Sequence, residues 1–276
     1  MAQVKKLDLA LQGGGAHGAY TWGVIDRLLA DERIEIEGIS GTSAGAMNGV
    51  VMADALTRGG KETARQALYD FWKAVSRAGM TSPIRRTPLD ILTGNWSLDH
   101  SPGFIAMDLL SRVASPYQLN PLNINPLRDI VAEHIDFERV RKCEQLKLFV
   151  AATNVRTGKQ RVFRREEMSV DAVMASACLP FIFQAVEIDG EAYWDGGYMG
   201  NPALFPLMEE CSARDILLIQ INPISRNDVP TSASAIMNRL NEITFNSALI
   251  KEIRMIALLK HALDEQGIEN CYQQAL

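Results

Sequence analysis

The chain has 276 residues, 47% of them hydrophobic and 22% charged, with a formal net charge of −5. That length and apolar content suit one large α/β unit, and an acidic balance with no dense Lys/Arg block excludes nucleic acid as the expected partner. Cys143, Cys178, Cys211 and Cys271 stand far apart, with no CxxC or Cys/His metal spacing, which excludes a zinc framework and fits a reduced, cytoplasmic setting.

The first predicted element is a strand over 7–11, which runs through Gln12 into Gly13-Gly14-Gly15-Ala16-His17-Gly18 and a helix over 17–31. A glycine-rich turn at a helix N-terminus lets backbone N–H groups approach an anion or a developing oxyanion, so the loop reads as a phosphate cradle or an oxyanion hole. A dinucleotide site would need an acidic residue at the tip of the second strand. Ser40-Gly41-Thr42-Ser43 stands there instead, and no Gly-Lys-Ser/Thr follows the glycines, so neither a Rossmann site nor a P-loop fits.

The second predicted strand, 34–40, hands over to a helix over 44–58 through Gly41-Thr42-Ser43-Ala44-Gly45. A GxSxG turn between strand and helix leaves no room for larger side chains and lifts the serine hydroxyl into the open, as a nucleophile requires. A further helix spans 61–78. Residues 79–125 then carry Pro83, Pro88, Pro102, Pro116 and Pro121 among Ile84, Leu89, Ile91, Leu92, Trp96 and Phe104, an apolar but irregular insertion that reads equally as a lid or a packed loop. Within and after it, helices are predicted over 103–114 and 126–134.

A strand over 147–154 and a helix over 169–176 lead to an apolar strand region at 184–194. There Ala185-Val186-Glu187-Ile188 and Glu191-Ala192-Tyr193-Trp194 flank a tight Asp189-Gly190 turn. Asp195-Gly196-Gly197 follows at the strand end, and taken alone it reads as an Asx-type turn. A last strand is predicted over 215–222, then a helix over 234–265 whose Ile236, Leu240, Ile243, Ile250, Ile253 and Ala257 form a stripe for burial against the sheet or a partner subunit.

A nucleophilic serine needs a base, commonly a histidine held by a carboxylate. His17 lies in the glycine loop, His100 in a polar loop and His134 on a helix face. Only His261 follows Asp195, as an α/β-hydrolase triad would demand, yet it sits in a plain helical segment. The alternative is a dyad in which Asp195 takes the Ser43 proton directly.

These three motifs in this order, over residues 7–210, resemble the patatin-like phospholipase family; Ala175-Ser176-Ala177-Cys178-Leu179-Pro180 and Asn201-Pro202 are similar to that family's flanking segments. The resemblance implies a lipid acyl-ester hydrolase with Ser43 as nucleophile and Asp195 as base. It also implies backbone donors at Gly13, Gly14 and Gly15, with Gly18, Gly41, Gly45, Gly196 and Gly197 shaping the turns. His17 stands where many relatives carry Arg or Lys and is a candidate substrate contact. No metal or organic cofactor is implied. A binding or regulatory protein on the same fold, or acyl transfer to an acceptor other than water, remains open beside hydrolysis.

The alternation of strands and helices predicts a three-layer α/β/α sandwich with a mostly parallel central sheet. The expected organisation is one domain over 1–276: a motif-bearing core at about 7–210, the insertion at 79–125 and a helical extension at about 228–276. No segment reaches the ~18 apolar residues of a membrane span, and Lys5-Lys6 precedes too short an apolar run for a signal peptide. At most peripheral membrane contact is expected, and the oligomeric state stays open.

Overall fold

The computed structural model of the chain describes residues 4–82, 87, 90, 92, 94, 101–111 and 113–266. The first half contains β1 (Lys5–Leu11), α1 (Gly18–Leu29), β2 (Ile34–Gly41), α2 (Ala44–Thr81), α3 (Pro102–Ser111), α4 (Pro116–Leu119), α5 (Pro126–His134) and α6 (Phe137–Arg141). The second contains β3 (Lys147–Asn154), β4 (Gln160–Arg164), α7 (Val170–Ser176), β5 (Val186–Ile188), β6 (Glu191–Asp195), α8 (Phe205–Glu210), β7 (Ile216–Ile219) and α9 (Ala233–Gln266).

The strands form a mixed, mostly parallel seven-stranded sheet. β7, β1, β2 and β3 run parallel, whereas β4 and β6 pair antiparallel with β3, and β5 with β6. Because successive side chains of a strand point to opposite faces, β1 and β3 each feed two cores. Leu7, Leu9 and Leu11, with Leu148, Val150 and Ala152, join α1 and α2 on one face. Ala10, Phe149 and Ala151 meet Leu204, Leu207 and Leu249 on the other. The predicted α/β/α layering follows from this alternation.

β3 has three partners. β4 occupies one of its edges along Phe149–Thr153, so β2, which pairs with Lys147–Val150, and β6, which pairs with Ala152–Asn154, must share the other edge. β2 runs parallel to β3 and ends with Gly41 opposite Val150; β6 runs antiparallel and ends with Asp195 opposite Ala152. The two strand ends therefore meet head-on.

Several elements differ from the sequence reading. The helices predicted over 44–58 and 61–78 are not among them: α2 spans both and is broken between them at Gly59 and Gly60, the latter at φ 79°. β4 and the short helices α4, α6 and α8 lacked a periodic signal long enough to read. Of the insertion, α3 and α4 are described, while Pro83, Ile84, Pro88, Leu89, Ile91, Trp96 and His100 lie outside the described residues, so the lid expectation falls largely outside them as well.

The stripe expected on α9 does not face the sheet, which corrects that half of the expectation. Ile236, Leu240, Ile243 and Ile253 are exposed, and the buried positions are Asn246 and Leu249, flanked by half-buried Phe245, Glu252 and Ile256. Polar residues at two inward positions break the apolar period, which is why periodicity selected the wrong face. In urea melts, Leu249→Ala is expected to lower unfolding free energy by roughly 2–5 kcal/mol, and Leu240→Ala by no more than about 0.5 kcal/mol. Equal losses would contradict this placement of the helix.

Candidate active site

Only Thr42 and Ser43 separate β2 from α2, so the chain must reverse from extended to helical backbone in two residues. Ser43 takes up the strain at φ 54° and ψ −118°, a conformation that costs a non-glycine residue on the order of 1–3 kcal/mol and persists only where the surroundings enforce it. Here they do: the Thr42 N–H donates to the Leu11 carbonyl at 3.2 Å and its hydroxyl donates to the Gly200 carbonyl at 2.7 Å. The Ser43 N–H donates to Ser176 Oγ, at the end of α7, at 2.8 Å. Gly45 rests on the Leu11 carbonyl so closely that a Cβ would overlap it, and a Cβ on Gly41 would meet the Gly45 carbonyl carbon at 2.6 Å. Both glycines of the pentapeptide are thus set by close approach, as the motif reading expected.

Asp195 arrives from the opposite direction on β6 and is 1% exposed. Its N–H donates to the Cys178 carbonyl at 2.8 Å, and its carbonyl accepts the Thr153 hydroxyl at 2.8 Å. Its carboxylate accepts the Gly197 N–H at 2.7 Å, and the Ser43 side chain lies near enough to favour its charged form. Burial disfavours the charged form and outweighs both of these neighbours, so the carboxyl pKa is pushed up from 3.8 to about 7. The Cys178 thiol and the Tyr198 phenol are both pushed up to about 12, first by burial and then by the negative Asp195. Gly196 packs on the Ala151 carbonyl and Gly197 on the Phe245 ring, and a side chain at either position would overlap its neighbour.

The glycine loop closes over the serine. A Cβ on Gly13 would lie 2.7 Å from Ser43 Cβ, so only glycine lets this backbone pass. The Gly13 N–H donates to Asn201 Oδ1 at 2.6 Å, which corrects the expectation of three free donors: this amide is already bound. The N–H groups of Gly14 and Gly15 have no acceptor among the described residues. Gly15 sits at φ 57°. Gly18 opens α1 against Ala44 and Trp72, and Asn48 links the two helices by donating to the Gly18 and Ala44 carbonyls, both at 3.1 Å. His17 is exposed on the loop, its Nδ1 3.2 Å from the Gly14 carbonyl oxygen.

Four polar side chains outside the three motifs hold the site together. Gln12, fully buried, accepts the Ile221 and Asn222 N–H groups at 2.8 and 2.9 Å and donates to Asn246 on α9 at 3.0 Å. Asn201 and Ser176 hold Gly13 and Ser43 as described. Their sequence signal was adjacency alone: Gln12 precedes the glycines, and Ser176 and Asn201 lie in the segments flanking Asp195. The remaining histidines are elsewhere. His134 hydrogen-bonds the Ile130 carbonyl within α5 at 2.9 Å, and His261 is exposed near the end of α9. Among the described residues no histidine hydrogen-bonds Asp195, so the geometry brings together Ser43 and Asp195 without the third member of the triad alternative. Among them, too, no group of three or more His, Cys, Asp or Glu side chains is placed to hold a metal ion, and no helix is long and apolar enough to cross a membrane.

A family profile, that of the patatin-like phospholipases, matches residues 9–208. The chain belongs to the patatin-like phospholipase family. Among solved structures, this patatin-like chain is similar to VipD from Legionella pneumophila, at 18% identity and a TM-score of 0.38, covering 71% of this chain and 46% of that one. It is also similar to the heterodimeric ExoU–SpcU complex from the type III secretion system of Pseudomonas aeruginosa, at 14% identity and a TM-score of 0.29, covering 91% and 52%. The chain therefore spans about half the length of these solved chains.

The buried carboxyl has a measurable consequence. Because the folded pKa of Asp195 lies above the ordinary value of 3.8, the folded state holds the proton more tightly than the unfolded chain. Stability therefore falls as pH rises through the window from about 4 to about 7 and stays reduced above it. Asp195→Asn removes the charge, so its melting temperature should exceed that of the wild type at pH 8 and converge on it near pH 4. A difference independent of pH in scanning fluorimetry would contradict the buried ionisation.

Proposed function

We propose that this chain is a serine acyl hydrolase that cleaves carboxylic-ester bonds of lipids through a Ser43/Asp195 dyad and an acyl-serine intermediate. The observation that carries the reading is the Ser43 side chain placed beside the buried Asp195 carboxyl, next to two backbone N–H groups with no acceptor among the described residues.

In this mechanism Ser43 Oγ attacks the ester carbonyl carbon while its proton passes to Asp195. A carboxylate of ordinary pKa is a weak base; burial raises the basicity of Asp195 toward the working pH. The Gly14 and Gly15 N–H groups stabilise the tetrahedral oxyanion, a contribution worth roughly 10²–10³ in rate per donor. Collapse of the intermediate returns the proton to the departing alcohol and leaves Ser43 acylated. Water, deprotonated by Asp195, then attacks the acyl carbon and releases the fatty acid, and Ser43 recovers its proton. Gly13 acts by position, since its N–H holds Asn201. His17, exposed at the loop, is a substrate contact in this proposal. Cytoplasmic residence belongs to it too, supported by the free thiols of Cys143, Cys178 and Cys211.

With a short nitrophenyl ester and a fluorophosphonate probe, Ser43→Ala is expected to lose labelling and to fall roughly 10⁴–10⁶-fold in turnover. Asp195→Asn should fall comparably, and His261→Ala should stay close to wild type. The acid limb of kcat/KM should titrate near 7, where Asp195 gives up its proton, and activity should be lost as pH falls below it. An acid limb near 4, or full activity in Asp195→Asn, would remove Asp195 as the base.

A further inference from the structure

Two segments of this chain carry no charged residue over fifteen positions each, Val113–Leu127 and Ala172–Val186. They are distant in sequence yet joined in the structure. Gln184 Nε2 donates to the Asn120 carbonyl at 2.8 Å, and the Ala185 N–H donates to the Tyr117 hydroxyl at 3.2 Å. The second segment is also part of the site's wall, since Ser176 Oγ accepts the Ser43 N–H and the Cys178 carbonyl accepts the Asp195 N–H.

Together the two segments display an apolar surface at the rim of the candidate site. Leu122 is 80% exposed and Phe181 68%, and Tyr117, Leu119, Ile124 and Ile182 are exposed beside them. Isolated exposed apolar residues are ordinary on a soluble surface, but a group of them gathered on two hydrogen-bonded, charge-free segments marks a contact surface. Tyr117 adds the pattern found at water–lipid boundaries, an exposed aromatic ring whose hydroxyl is anchored to backbone.

We propose that this rim docks the protein onto the surface of electrically neutral lipid, with Leu122, Ile124, Phe181 and Ile182 entering the headgroup–acyl boundary. The proposal rests on the lipid-hydrolase reading for its choice of occupant. Protein interfaces surround an apolar centre with a polar rim; here the charged groups at the segment ends, Arg128 and Asp171, are paired with each other at 2.6 Å and the fifteen positions of each segment carry none, which favours a lipid surface over a protein partner. The chemistry also sets the lipid class. A charge-free surface on a chain of net charge −5 gains nothing from anionic headgroups, so attachment is carried by apolar area and not by Coulomb attraction. Docking at this rim brings the bilayer to the serine without requiring a lipid to diffuse through water.

The test uses the full chain carrying Ser43→Ala, so that binding is read without turnover, in flotation with vesicles of phosphatidylcholine alone. Binding is expected, and it should be unchanged at about 0.5 M salt, where screening leaves only a few ångströms of Coulomb reach. Leu122→Asp and, separately, Phe181→Asp should each weaken vesicle binding roughly tenfold or more, since a charge in the inserted surface opposes burial. In the Ser43-intact background the same two variants should hydrolyse a short water-soluble ester at a rate within about twofold of the parent. Leu122 is so exposed that an aspartate there leaves folding intact, and its result stands if Phe181→Asp fails to fold.

Three results would overturn the proposal: no binding to neutral vesicles, binding that requires anionic lipid and vanishes with salt, or a dimer of the free protein that Leu122→Asp separates. The last would make the surface a contact between two copies. Vesicle binding without ester hydrolysis by the intact protein would refute the hydrolase reading while leaving the docking surface. Hydrolysis of the soluble ester without vesicle binding would do the reverse.

Discussion

A carboxylate removed from water and left facing one hydroxyl and one backbone N–H sets the terms for the rest of this molecule. Asp195 is almost wholly buried, and an isolated charge in that position is unstable unless polar groups meet it. Gly197 and Ser43 supply them. The two glycines that follow Asp195 are needed because its backbone runs against the Ala151 carbonyl and beneath Phe245, leaving no room for side chains. Strain at Ser43 belongs to the same arrangement, since a relaxed serine backbone at the end of β2 would not be held between Leu11, Ser176 and the Asp195 carboxylate.

β3 makes the meeting possible. A parallel strand and an antiparallel strand laid along the same edge, one after the other, necessarily point their ends at each other, and a single residue of β3, Ala151, separates the register of Gly41 from that of Asp195. The glycine loop is then held from the other side by amide side chains. Asn201 holds the Gly13 amide, Asn222 donates to the Gly13 carbonyl at 2.7 Å, and Gln12 ties the same turn to Asn246 on α9. The long C-terminal helix thus acts less as a cover for the sheet than as a brace behind the loop. Its inward face carries asparagine and glutamate as well as leucine, and Glu252 accepts the Leu204 N–H at 2.7 Å.

This distribution explains what could be read in the sequence. The placement of Ser43, Asp195 and the glycines around them was legible because each obeys a constraint confined to a few residues: a turn too tight for a side chain, a strand end, a helix start. The sheet was legible because its strands alternate or run apolar between turn residues. Asn201, Ser176, Gln12 and Asn246 were not, because their roles exist only across 188, 133 and 234 positions of chain, and an asparagine leaves no periodic trace of its distant partner. α9 was misread for a related reason: two inward positions are polar, so the apolar count favoured a face that the structure leaves exposed. The amide of Gly13 was misassigned because sequence shows where a donor lies and not whether it is already occupied.

The long spans have a consequence for the order in which the molecule is made. The turn at Thr42 and Ser43 is complete once β1, β2 and the start of α2 have emerged, but the edge of β3 that brings Asp195 to it stays vacant until β6 is synthesised, and the brace on Gln12 waits for α9. Pairings across such separations form late, because a large loop must close before any contact rewards it. A growing chain therefore presents its serine long before it owns the acid that faces it. Cleavage or premature termination before β6 would yield a fragment bearing the GxSxG turn with no carboxylate facing it.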